Sequence, residues 1–122
     1  MTASNVPETL ERLAQSFGEG EEGWTFVREL IDAFLEDAPM QLAALRSALE
    51  QADAEAARRA AHTLKSNAAT FGASSLAEVC RELEVAAVRG ELDGAGGLLE
   101  QAELEWERAR AALDQVGRGG AR

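Results

Sequence analysis

Tyrosine is missing from the chain, and cysteine and histidine occur once each among 122 residues. A single cysteine, Cys80, cannot close an internal disulfide, and with one histidine it offers no metal-ligand spacing. A reducing, cytoplasmic setting is therefore expected. Four Phe, two Trp and few β-branched residues leave little from which to build strands. The hydrophobic fraction of 46% is carried by Ala and Leu, which favour helices. Cations are also scarce: 12 Lys and Arg stand against 22 Asp and Glu, a formal net charge of -10. A surface of that sign does not displace counterions from a phosphate backbone, which argues against nucleic acid as a partner. Proteins with basic surfaces, or with sites that hold a bound cation, fit better. No apolar run approaches membrane-spanning length, and the first residues lack the basic and apolar regions of a signal peptide, so neither membrane insertion nor export is expected.

What is present reads as one domain, long enough to close a core without metals or disulfides, over residues 1–117, with 118–122 as a disordered tail. A first helix starts near Asn5, with Pro7, Glu8 and Glu11 at its positive end and Leu10, Leu13, Ala14 and Phe17 as its apolar stripe. Gly18 to Gly23 reads as an acidic loop, because glycines beside carboxylates repel an anion rather than cradle it. From Trp24 to about Glu50 the apolar phase is helical and continuous across Pro39, which favours one bent helix over two helices meeting at Ala38-Pro39. Asp53 is a plausible N-cap for a third helix running to about Phe71, and Gly72 supplies the left-handed residue that ends it. Ser75-Leu76-Ala77-Glu78 has the capping-box pattern and opens a fourth helix that keeps phase to Gly90. The last helix carries Leu98, Leu99, Ala102, Leu104, Trp106, Ala109 and Leu113 and frays near residues 115–117. The predicted fold is all-α, an antiparallel four-helix bundle with a short additional N-terminal helix.

The lone histidine falls in the third helix. At about 100° per residue, Ala57, Ala60, Ala61, Leu64, Ala68 and Phe71 share the core side, and His62 points the other way. Its helical neighbours are Glu55, Arg58, Arg59, Lys65, Ser66 and Ala69. A neutral imidazole is a competent nucleophile, and Lys65, assisted by Arg58 or Arg59, is placed to neutralise a phosphoryl group on it. Ser66 and Ala69 are small enough to let a second protein approach the ring. An exposed histidine on a polar helix face is more often a solvated side chain, and periodicity by itself leaves the reaction open. Asn67 falls towards the buried side and is expected to satisfy backbone groups. Cys80 reads as a small core residue, and Trp24 and Trp106 as packing anchors.

The segment AHTLKSNAATFGASSLAEVCRELE resembles the signature of histidine-containing phosphotransfer (HPt) domains, which follow H-x-x-K-G with a second glycine further along. His62, Lys65 and Gly72 match that pattern, and Leu76, Cys80, Leu83 and Glu84 resemble the family's next helix. The resemblance implies a four-helix bundle whose histidine accepts a phosphoryl group from a receiver-domain aspartate and passes it to another receiver. It implies His62 as the phosphoacceptor, Lys65 as the cation that supports the phosphoryl group, and Glu84 as the group that orients the imidazole. Arg58, Arg59, Ser66 and Ala69, with Leu13 and Phe17 of the first helix, form the implied docking surface. The implied partners are response-regulator receiver domains and a hybrid histidine kinase, met by a monomer that carries no cofactor, with magnesium on the receiver. Autokinase activity is not expected, since no nucleotide-binding loop is present. The competing readings are an HPt-like module that docks and inhibits a receiver or kinase without being phosphorylated, and a detached acceptor domain phosphorylated directly by a chemotaxis-type kinase. One position departs from the pattern: Ser66 stands where the family most often has glycine.

Overall fold

A computed structural model describes residues 5–18 and 20–119. Five helices follow one another: α1 (Val6–Phe17), α2 (Glu21–Glu50), α3 (Ala54–Thr70), α4 (Ser74–Val88) and α5 (Ala95–Gly119). No strand occurs among the described residues. Helix α2 packs on α1, α3 and α5, α3 packs on α4, and α4 packs on α5, so α2 to α5 close a ring of four. Phe34 meets Phe71 and Asp37 meets Asn67, so a step up α2 is a step down α3 and the pair is antiparallel. Inside the ring, Phe34 stacks on Phe71 with centroids 4.8 Å apart and meets Trp106 edge-on at 5.2 Å. Leu45, Leu64, Leu76, Cys80 and Leu113 fill the space around them and are fully buried.

Three helix ends share one geometry, and it sets the register of the site. After α3, Gly72 takes φ +77°, its N–H donates to the Ala69 carbonyl and the Ala73 N–H reaches back to the Ala68 carbonyl. This is a Schellman closure. The same pair of bonds ends α4 at Gly90 and α2 at Ala52, an alanine held at φ 54°. Gly72 is fixed for a second reason. A Cβ there would lie 2.4 Å from Thr9 Oγ1, because α1 docks on this turn and the Asn5 N–H donates to the Gly72 carbonyl at 3.0 Å.

Several elements differ in detail from the sequence reading. Helix α2 runs unbroken through Pro39, as its phase predicts, but begins at Glu21 rather than Trp24. Gly23 therefore lies inside the helix, where a Cβ would stand 2.1 Å from the Ala14 carbonyl oxygen; the glycine lets α1 and α2 touch. Asn5 stands before α1, but its side chain accepts from Thr9 Oγ1 instead of capping the backbone. Asp53 does cap α3, accepting from the Ala56 N–H at 3.1 Å. Ser75 is not the N-cap that the capping-box pattern implies, since Ala73 holds that position. The tight closure at Gly72 delivers the chain into α4 at Ser74, two residues before the start that the pattern implies, and Glu78 binds Arg81. Val88 and Leu104, assigned to apolar stripes, are exposed. Helix α5 takes in Gly96 and Gly97 and continues past the expected fraying point to Gly119; the rest of the proposed tail, 120–122, lies outside the described residues. No helix among the described residues is long and apolar enough to cross a membrane.

Candidate functional site

The α3 residues assigned to the core, Ala57, Ala60, Ala61, Leu64, Ala68 and Phe71, are all buried. His62 consequently stands on the outer face of α3, with its side chain 53% exposed. The turn at Gly72 brings α4 back along α3, and Glu84 arrives beside it with its side chain only 17% exposed. Glu84 Oε2 lies 2.9 Å from His62 Nδ1, and Glu84 Oε1 lies 2.7 Å from Lys65 Nζ. One carboxylate thus serves both neighbours. The bond from the Lys65 ammonium, and after it the hydrogen bond from His62, hold the Glu84 carboxyl below the usual glutamate range against the opposing effect of partial burial. An ionised carboxylate only accepts, so the proton belongs on Nδ1. The lone pair is left on Nε2, the nitrogen not bonded to Glu84.

The other cations of this face are also engaged. Arg58 binds Glu55 through Nε at 3.0 Å and Nη2 at 2.8 Å, and Arg59 Nη1 reaches the same carboxylate at 3.4 Å. The Arg58 bond holds the Glu55 carboxyl low, while Glu55, with Glu84 as a further contributor, raises Arg58. Ser66 and Ala69 are exposed one and two turns beyond His62. Asn67 does not serve the backbone as expected. Its amide donates to Asp37 Oδ2 of α2 at 3.4 Å, and Asp37 Oδ1 accepts from Gln41.

Leu13 and Phe17 are not beside the imidazole. Phe17, 40% exposed, packs on Phe26, 44% exposed, with ring centroids 4.3 Å apart, and Leu13 is half-buried. Since α3 pairs with α2 so that His62 is level with Leu42, this aromatic pair lies about 24 Å away along α2 at 1.5 Å per residue. Cys80 is in the core, and burial pushes its thiol up to about 12. No cluster of three or more metal-ligating side chains occurs among the described residues.

Sequence reasoning missed three features: the shared use of Glu84, the Asp37–Asn67 link, and Phe26 as the partner of Phe17. Only the second left a signal, since a polar residue towards the buried side of a helix needs a partner.

The helical bundle holds an exposed imidazole through Nδ1, an arrangement that a histidine carrying a transferable group would need. The chain belongs to the Hpt domain family, whose match spans residues 29–116. It is 33% identical to histidine-containing phosphotransfer protein B (HptB) from Pseudomonas aeruginosa PAO1, whose crystal structure it matches with a TM-score of 0.84 over 95% of each chain. No curated protein sequence matches significantly. The chain accordingly has a histidine phosphotransfer role in phosphorelays, in which Hpt domains work with response-regulator receiver domains and kinases.

Proposed function

We propose that His62 accepts a phosphoryl group from a receiver-domain aspartate and passes it to a second receiver. The observation that carries this reading is the 2.9 Å contact between Nδ1 and Glu84, which directs the exposed lone pair to Nε2. The Nε2 lone pair attacks phosphorus, the N–P bond forms, and the bond from phosphorus to the aspartyl oxygen breaks, returning that carboxylate. Nδ1 keeps its proton throughout. The ring thereby gains positive charge, which the Glu84 carboxylate stabilises. Lys65 Nζ, one helical turn from His62, moves from Glu84 towards the incoming phosphoryl oxygens and supports their charge. Magnesium is supplied by the receiver.

Arg58, Arg59, Ser66 and Ala69 surround the imidazole and form the centre of the docking surface, with Leu13 and Phe17 at its margin. A standard protein interface covers about 800 Å² per partner, a disc roughly 32 Å across; centred on His62 it stops short of the aromatic pair, so Leu13 and Phe17 are reached only by a receiver displaced towards α1. A monomer in the cytoplasm, meeting receivers and a hybrid kinase in turn, is the arrangement this surface fits.

The test is label transfer from phosphorylated receiver domains to the wild-type chain and to His62→Gln. Acid-labile, base-stable label on the wild type that vanishes in the variant is expected. Tight receiver binding with no label on this chain would overturn the relay and leave the docking inhibitor. Label gained from a chemotaxis-type kinase but never from a receiver would overturn it in favour of the detached acceptor domain.

A further inference from the structure

We propose that the Ser66 hydroxyl donates a hydrogen bond to the phosphoryl group carried on His62 Nε2, and so sets the lifetime of the phosphorylated protein. The proposal rests on the reading of His62 as phosphoacceptor. A phosphoryl group brings close to two negative charges and three strong acceptor oxygens, which need donors as soon as it arrives. The donors around His62 are already committed. Lys65 Nζ lies 2.7 Å from Glu84, Arg58 makes two bonds to Glu55 and Arg59 a third, and Arg81 on the neighbouring α4 is bound to Glu78. Each of them is held in place by a carboxylate, so swinging one onto the phosphoryl group weakens a charge-assisted bond.

Ser66 is different. It is exposed, it lies four residues beyond His62 on the same helix face, and its hydroxyl has no hydrogen-bond partner among the described residues. Its carbonyl accepts from Thr70 Oγ1 at 3.1 Å, so the nearest other hydroxyl on this face is already spent. Side chains on an α-helix lean towards its N-terminus, which tilts the Ser66 Oγ towards the turn that holds His62. Thr63 lies 100° around the helix on a half-buried flank, and the Asn67 amide is taken by Asp37. Ser66 is thus a donor on the His62 face that can turn to the phosphoryl group without giving up an existing bond. No bond is made or broken in this role: Ser66 Oγ–H donates to a non-bridging oxygen while the N–P bond stays intact. A glycine at this place has no such donor, so the departure at residue 66 lengthens the life of the phosphohistidine rather than only narrowing access.

The chain can be phosphorylated with phosphoramidate, a small-molecule donor that needs no receiver, and its decay followed by ³¹P NMR. Ser66→Ala is expected to shorten the phosphohistidine half-life roughly three- to tenfold, the range of one net hydrogen bond, while Ser66→Thr, which keeps the hydroxyl, stays within twofold of wild type. Thermal melting of the unphosphorylated variants should be unchanged, which separates the effect from folding. Equal half-lives for wild type and Ser66→Ala, or a loss that Ser66→Thr shares, would overturn the role of Ser66 and leave His62 as acceptor. A wild type that gains no phosphohistidine signal, or one that survives in His62→Gln, overturns both readings.

Discussion

Glu84 spends one oxygen on His62 and the other on Lys65, and this division makes its two functions separable by substitution. Glu84→Gln keeps an acceptor for the Nδ1 proton but loses the charge that holds Lys65; Glu84→Ala loses both. Phosphotransfer from a receiver should fall only a few-fold in the first and roughly 10- to 100-fold in the second, the usual cost of removing a group that orients a functional histidine. Rates measured by label transfer check this, and equal losses in the two variants would show that orientation contributes nothing beyond charge. The carboxyl titrates below its ordinary value of 4.5 in the folded protein. Its contribution to stability is therefore complete above that value and disappears as pH falls through the lower, folded one. Urea midpoints of wild type and Glu84→Gln should differ by a constant amount from neutral pH down to about 4.5, then converge in more acid solution. At this scale His62 was legible in the sequence, since one polar phase on a helix with an apolar face fixes which way a side chain points. Its engagement with Glu84 was legible only through the resemblance. The two residues sit on different helices, and their contact depends on the register of a turn that a helical wheel does not describe.

Between helices, the information lies in the three Schellman closures. Gly72 and Gly90 announced theirs, because glycine just past an apolar stripe is a stop signal. The closure after α2 carried no such mark, since alanine occupies the left-handed position, at φ 54°. An L-residue in that region is disfavoured by about 1 to 2 kcal/mol, which glycine avoids at the cost of greater freedom in the unfolded chain. Ala52→Gly should therefore stabilise the protein by about 0.5 to 1 kcal/mol, seen as a higher urea midpoint with an unchanged slope. Gly72→Ala goes the other way. It meets the same backbone penalty and also drives a methyl group into Thr9, at 2.4 to 2.7 Å. A loss of at least about 2 kcal/mol is expected from the two effects together, and Thr9→Gly in the same chain should recover part of it. No recovery would mean that α1 does not rest on this turn. The false capping box has the same origin. Ser75 and Glu78 carry the right letters at the right spacing, but the closure at Gly72 had already determined where α4 begins.

For the molecule as a whole, the question is whether α1 to α5 open as one unit, and Cys80 is placed to answer it. The thiol is fully buried, and the loss of solvent pushes it up from an ordinary 9.0 to about 12. A thiol reagent at pH 8 therefore meets neither an accessible nor an ionised sulfur until the core opens. For a domain stable by 5 kcal/mol or more, labelling of the native protein should be at least about a thousandfold slower than in urea. Composition made the all-α bundle legible, but it did not reveal cooperativity, because alanine-rich stripes fit a tight ring and a loose one equally well. Leu64 distinguishes them. It is fully buried on α3, behind His62 and on the opposite side of the helix from the docking face. Leu64→Ala should cost roughly 2 to 5 kcal/mol. If the bundle opens as a unit, Cys80 labelling accelerates by the matching factor, roughly 30- to 4,000-fold at 1.4 kcal/mol per tenfold change. If α4 and α5 detach by themselves, the urea midpoint falls while the labelling rate stays near that of wild type. A rate that follows the lost stability would make the imidazole, its orienting carboxylate and the core beneath them parts of one cooperative structure. In that case receiver docking at His62 would be felt at Cys80 as slower labelling, in proportion to the affinity of the complex.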